Sequence, residues 1–266
     1  MPIIQSVKRA LNILDLFDDF NKELKITEIS TRLGLNKSTA HSLLKTLKEQ
    51  DYIKQDLETG KYSLGLKLVE RGNFVLNSMD LRIIAKDSLV ELSHKTGNTT
   101  HLVILDEKTG VYIDKVEGPN KTIVFSRIGR SVPIHSSAVG KVLVAYKSQQ
   151  ELDSLLEQYD FFPQTGKTIK DKMKYLEELA QVERCGYAID NEENEEGVYC
   201  IAVPIYDHSF SVVAALSMSF PISSVTAEVK SQTVQMLKET ASTISEKLGY
   251  RSIKKHFLNN KTGGFL

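Results

Sequence analysis

The chain has 266 residues, of which 26% are charged, with 34 Lys and Arg against 34 Asp and Glu, and it holds two cysteines, Cys185 and Cys200. That length suits about two domains, and the zero net charge excludes nucleic-acid binding through overall basicity, so any such surface has to be local. Two cysteines without a nearby His or Cys partner exclude a disulfide framework and a zinc cluster, and no apolar run or signal pattern suits a membrane or export, so the chain reads as soluble, cytoplasmic and free of cofactor or metal.

Ser6 is placed to cap a first helix with Val7, Ala10, Leu11, Leu14 and Phe17 on one stripe, whose outer face could also meet a partner subunit. A second helix carries Ile26, Ile29 and Leu33, with Thr27 as its expected cap. Gly34 supplies the backbone freedom that ends it, and Leu35 plugs the gap before Asn36 opens a third helix built on Ala40, Leu43, Leu44 and Leu47. The opposite face of that helix shows Lys37, Ser38, His41, Ser42 and Lys45. Helix, glycine, helix is common. What sets this one apart is that no Asp or Glu lies between Glu28 and Glu49, while four Lys and Arg do. A surface that approaches phosphates must avoid carboxylates, which add like-charge repulsion to desolvation. Residues 51–56 and 61–64 then read as two strands about the turn Leu57-Glu-Thr-Gly60. The order predicts a winged helix-turn-helix over residues 1–66. Its groove and phosphate contacts would be Lys37, Ser38, Thr39, His41, Ser42 and Lys45, with Lys54 and Lys61 on the wing.

Residues 67–96 are apolar at near-helical spacing, interrupted near Asn77-Ser-Met-Asp80. They read either as a core helix pair or, preferred here, as linker helices that help dimerise, since operators are usually read by two-fold dimers. From residue 97 to 250 the texture alternates between strand and helix. Residues 99–105 and 111–116 are strand-like around the turn at 106–110, and residues 122–127 suggest a third strand. A loop at Val132-Pro-Ile-His135 enters a small-residue helix; Ser148 with Glu151 and Thr168 with Asp171 are helix-opening signals. The second of these helices should carry Met173, Leu176 and Ala180 inward and end at Gly186. Strands at 187–190, 199–206 and 212–220 precede a long amphipathic helix over 225–248 and a loose basic tail at 251–266. The fold class is α+β.

Two strands carry an informative alternation. Val213, Ala215, Ser217 and Ser219 share one face, as do Val198, Cys200, Ala202 and Pro204. Such a small-residue face either leaves room for a ligand or accepts a closely packed helix. A helix starting at Ser136 or Ser137 adds unpaired N–H groups and partial positive charge, which suit a carboxylate or phosphate. Together they point to an anionic metabolite, with Asp190 placed either to order the rim or to accept a ligand hydroxyl. The acidic residues after Asp190 read as a solvated loop rather than a metal site, and Cys200 as inert. A hydrolase using His135 with Ser136 or Cys200 is the rival from another class, but no carboxylate is placed to orient His135. A protein-interaction module with a DNA-binding head and no effector is the other alternative.

Taken together, Ser6-Val-Lys-Arg-Ala-Leu-Asn-Ile-Leu14, the run Leu33 to Leu47, Lys61-Tyr-Ser-Leu-Gly65, His135-Ser-Ser-Ala-Val-Gly-Lys141, Gly186-Tyr-Ala-Ile-Asp190 and Gly197 to Pro204 resemble the IclR-type bacterial transcription regulators over nearly the whole chain. The resemblance implies a DNA-binding regulator, a repressor, with a linker helix and a GAF-like α/β effector domain. It also implies operator DNA as partner, a homodimer or dimer of dimers, and a small organic-acid effector. Carried over position by position, the effector pocket falls on Val132, Ser136, Ala138, Val139, Asp190, Val198, Cys200, Ser217 and Ser219. One position departs from the family pattern: Ser42 follows His41 where many members carry an arginine.

Overall fold

The computed structural model describes residues 3–18, 20–77, 80–120 and 126–250. It divides into two compact units, residues 1–79 and 80–266. The expected tail at 251–266 lies outside the described residues.

In the first unit, α1 (Gln5–Leu14), α2 (Ile26–Arg32) and α3 (Lys37–Glu49) precede the hairpin β1 (Ile53–Gln55) and β2 (Tyr62–Leu64). Ile13, Phe17, Leu24, Ile29, Leu44, Ile53 and Tyr62 form one buried cluster. Each such side chain contributes on the order of 1.5–3 kcal/mol when fully buried. Gly34 sits at φ 61°, in the left-handed region that lets the α2–α3 turn close, and Leu35 N–H donates to Ser30 O at 2.8 Å. The wing turn is held by Asp56, whose Oδ1 accepts from Glu58 N, Thr59 N and Thr59 Oγ1 at 2.7–3.0 Å. Leu24 forms an isolated antiparallel bridge with Tyr62 at the hairpin edge.

Two expected caps are displaced here. Ile4 occupies the N-cap of α1 and Ser6 lies inside the helix; the α1 residues facing the core are Ile13 and half-buried Leu14, while Val7 and Leu11 are exposed. Lys25, not Thr27, is the N-cap of α2, because the Glu28 carboxylate accepts from Lys25 N–H at 2.8 Å and fixes the helix start there.

The segment 67–96, expected as a linker, is divided between the units. Helix α4 (Lys67–Asn77) belongs to the first, and α5 (Asp80–Thr96) packs on the sheet of the second through Ala85, Leu89 and Leu92. Two ties fix α5. Thr100 Oγ1 donates to Leu89 O at 3.1 Å, and the buried Asp114 carboxylate meets Lys86 at 2.9 Å and Arg82 at 3.4 Å.

The second unit is built on an antiparallel sheet that, among the described residues, runs β5-β4-β3-β8-β7-β6. In chain order these strands are β3 (Thr99–Asp106), β4 (Thr109–Val116), β5 (Ser131–Pro133), β6 (Ala188–Asn191), β7 (Val198–Tyr206) and β8 (Val212–Pro221). Helix α5 and α9 (Ala227–Lys247) pack on one face, while α6 (Ala138–Ala145) packs on the other, with α7 (Gln149–Leu156) and α8 (Lys172–Cys185) outside it. Val103, Ala202 and Ala215 take α6 against them because alternation puts all three on that face.

Several boundaries differ from expectation. The β3–β4 turn is shorter than 106–110, since Asp106 pairs Thr109 and Gly110 is already in β4. The strand expected at 122–127 lies mostly outside the described residues, and Ser126 and Arg127 are not in a strand. Ser131–Pro133 pairs β4 instead. Thr168 does not cap α8: its hydroxyl donates to Glu193 O at 2.6 Å, and Asp171 is the N-cap, accepting from Lys174 N at 2.9 Å. That start rotates α8 so that Tyr175, Leu179 and Val182 are buried, while Met173 and Ala180 are exposed.

Candidate functional site

Helix α3 buries Ala40 and Leu44 and leaves Lys37, Ser38, His41, Ser42 and Lys45 exposed; Thr39 is half-buried. Asn36 holds the N-cap position without a side-chain cap bond, and no acid stands in the first turn, so the helix end keeps its partial positive charge. Ser42 Oγ donates to Ser38 O at 3.1 Å. Two expected contacts are partly neutralised by acids that lie outside the acid-free run. Lys45 is 3.8 Å from Glu49, both well exposed, and half-buried Lys61 is 3.6 Å from Glu23. Lys54 is exposed on β1.

In the second unit a cavity of about 470 Å³ opens between the start of α6 and the sheet. Val198 and Cys200 of β7 and Ser217 and Ser219 of β8 line it, with Asp190 from β6, Val132 from β5 and Ala138 and Val139 from α6. The same sheet face therefore does both things its composition allows: Ala202 and Ala215 accept α6, and the serines and Cys200 beyond them face the cavity.

Ser136 is the exception among the nine expected lining residues. It is buried away from the cavity, its hydroxyl donating to Asn194 Oδ1 at 3.0 Å, and Ser137 takes its place in the wall. Ser137 is also the N-cap, accepting from Gly140 N at 3.1 Å and donating to Pro133 O at 2.6 Å. The other first-turn N–H groups of α6 have no acceptor within the helix.

Asp190 accepts from the backbone N–H groups of Glu193 and Asn194 at 2.7 and 3.2 Å. Both bonds favour its anion, yet burial outweighs them and pushes the carboxyl up to about 7. Cys200 Sγ lies 3.1 Å from Ser219 Oγ, and burial raises the thiol far above its ordinary value, so it stays protonated and inert.

The acidic stretch after Asp190 is not the solvated loop its composition suggests. Glu193 meets Lys141 of α6, Glu192 pairs with Lys167, and Thr165 and Thr168 donate to the carbonyls of Glu192 and Glu193. Glu195, Glu196 and Asn194 thereby reach the cavity wall, together with Gln164, Thr165, Arg130, Tyr112 and His101. Sequence reasoning missed these because their partners are far away in the chain.

His135 is not set up for catalysis. Its Nε2 lies 3.1 Å from the Phe162 carbonyl, which requires that nitrogen to donate, so Nδ1 accepts from Tyr159 at 2.8 Å. Both ring nitrogens are occupied, burial lowers its pKa, and the ring does not line the cavity. Among the described residues no cluster of three His, Cys, Asp or Glu could hold a metal ion.

Comparison with known proteins adds an independent line. A family model described as "IclR helix-turn-helix domain" matches residues 6–57, and one described as "Bacterial transcriptional regulator IclR C-terminal" matches residues 73–246. The chain is 52% identical over 250 residues to the HTH-type transcriptional regulator XynR of Escherichia coli K12, covering 94% of this chain and 99% of that one. It is 41% identical over 247 residues to the HTH-type transcriptional regulator KdgR of Dickeya chrysanthemi, covering 93% and 81%. Among solved structures it is similar to the IclR of Thermotoga maritima, with TM-score 0.78 and 37% identity, covering 92% of this chain and 99% of the other.

Proposed function

The chain belongs to the IclR family of bacterial transcriptional regulators, whose members are not enzymes, and from that premise we propose a repressor that binds an operator through α3 and responds to a small organic acid in the cavity beside α6. The DNA half rests on an exposed, acid-free helical face that carries Lys37, Ser38, His41, Ser42 and Lys45. Its lysines would position the protein on phosphates, while Ser38, His41 and Ser42 would read base edges. The observation that carries the ligand half is the pairing of a polar-lined cavity with the buried first turn of α6. A carboxylate is the group such a helix end holds best, and the volume suits a small metabolite.

A homodimer or dimer of dimers is part of the same reading. Ile3, Ile4, Val7 and Leu11 around α1, and Val69 and Phe74 of α4, are exposed apolar side chains of the first unit, and burying them against a second copy is the economical use of that surface. A DNA-binding regulator would act in the cytoplasm, where its operator lies; no described helix is long and apolar enough to cross a membrane.

Footprinting on the DNA upstream of the coding region, with and without a panel of small organic acids, tests both halves. Protection of half-sites one helical turn apart, relieved by one of the acids, is the expected result. Paired Ser217→Ala and Ser219→Ala changes should blunt that relief and leave operator affinity intact. Absence of any protected site would overturn the regulator; relief that survives both serine changes would move the effector elsewhere.

A further inference from the structure

His101 sits in β3 opposite Ser217 of β8 and Lys115 of β4, so cross-strand pairing sets its ring on the cavity face of the sheet. The side chain is fully buried and lines the cavity. Its Nε2 lies 2.9 Å from Ser126 Oγ, and the Tyr112 ring is tilted against it at 5.2 Å. Nδ1 has no hydrogen-bond partner among the described residues. Desolvation, helped by the Lys115 ammonium, holds the imidazole neutral, with a pKa lowered to about 3.

A buried nitrogen left unpaired is costly, whereas an apolar side chain of similar shape would carry no such penalty. A wall that only needed filling has no use for this ring. We propose that His101 is the specificity-determining residue of the cavity, and that the effector places a hydroxyl oxygen against Nδ1. The inference rests on the reading that the cavity takes an organic acid.

The hydroxyl follows from the chemistry of a neutral imidazole, which offers one N–H and one lone pair. The Ser126 hydroxyl can rotate to donate to Nε2 or to accept from it, so Nδ1 can present either. A carboxylate can only accept and an ammonium can only donate, but a hydroxyl does both. The effector is therefore a hydroxylated organic acid, not a purely apolar one.

The test measures binding to the full chain by calorimetry for three pairs of acids: gluconate and hexanoate, lactate and propionate, 4-hydroxybenzoate and benzoate. In at least one pair the hydroxylated member should bind the unmutated chain at least tenfold tighter. His101→Leu should bring that ratio to within threefold, and His101→Asn, which restores a polar atom near Nδ1, should recover it. Binding of acids without preference for the hydroxyl, or a preference unchanged in His101→Leu, overturns the role of His101 and leaves the cavity reading standing. Loss of the preference in both variants means the ring acts by shape alone and also overturns the contact. Failure of every acid to bind overturns the cavity reading itself. Should His101→Leu not fold, ¹⁵N-histidine spectra of the unmutated chain decide. The Nδ1 resonance should move with the hydroxylated member of a binding pair and not with the other; equal movement overturns the proposal.

Discussion

Lys141 Nζ lies 2.7 Å from Glu193 Oε1 inside the second unit, in a side chain with no solvent exposure. The same ammonium donates to Glu178 Oε1 at 3.1 Å and to the Ile189 carbonyl at 2.8 Å, so its three protons are all used. Removing one partner of such a pair leaves the other buried and uncompensated, which typically costs about 3–5 kcal/mol. Lys141→Met is therefore expected to destabilise the second unit by about 3 kcal/mol, toward the low end because Glu178 keeps some exposure. Adding Glu193→Gln should return part of that loss. Urea unfolding of the single and double variants measures both; independent, additive losses would show the pair is not coupled.

Gly140 faces the Ile134 backbone so closely that a Cβ would stand 2.7 Å from the Ile134 carbonyl oxygen and nearer still to its Cα. That carbonyl also accepts from Tyr175 O–H at 2.9 Å, so it cannot simply swing away. Gly140→Ala gains helix propensity yet should cost about 3 kcal/mol through overpacking, a fall in Tm of roughly 6–12 °C for a unit of this size. A Tm unchanged or raised would mean α6 can draw back from the Ile134 backbone.

Asp190 offers a test by pH. Burial raises its carboxyl to about 7, well above the unfolded value near 3.8. The folded state therefore holds a proton that the unfolded chain has already lost between these values. Stability from this group is full below pH ~4 and declines as pH rises toward ~7. Asp190→Asn keeps an oxygen for the Glu193 and Asn194 N–H groups and removes the titration. Thermal melts should show the unmutated chain losing more stability than the variant between pH 5 and 8. Parallel curves would put the Asp190 pKa outside that window.

What the sequence made legible was local. Gly34, with Ala40 and Leu44 four apart, marks the α2–α3 turn and the buried stripe of α3 by short-range rules alone, and the alternation along β7 and β8 assigns Cys200, Ser217 and Ser219 to one face. The misses have physical causes. Whether Ser136 or Ser137 opens α6 is a one-residue choice that local pattern does not make, and the wrong one points a hydroxyl at Asn194. Ser131–Pro133 is too short to show a period and is a strand only because β4 pairs it. His101 and Lys141 find their partners 25 and 52 residues away, at Ser126 and Glu193, so only the folded topology shows why each is buried.

Helix α3, proposed above as the DNA contact, carries an ion pair near its C-terminal end. Lys45 is exposed on the polar face of α3 but rests 3.8 Å from Glu49, which discounts its charge before any phosphate arrives. A phosphate contact releases counterions regardless of base sequence, so losing it weakens operator and random DNA alike and flattens the dependence of log K on log salt by about one unit. Lys45→Ala should do this. Glu49→Gln should do the opposite at low salt, tightening both DNAs by similar factors as the lysine is released. His41→Ala, by contrast, is expected to weaken operator binding selectively, because a base contact discriminates among sequences and a phosphate contact does not. Titrations of operator and scrambled duplexes across 50–200 mM salt separate the three variants. An unchanged salt slope for Lys45→Ala, with Glu49→Gln also silent, would place this end of α3 away from the phosphates.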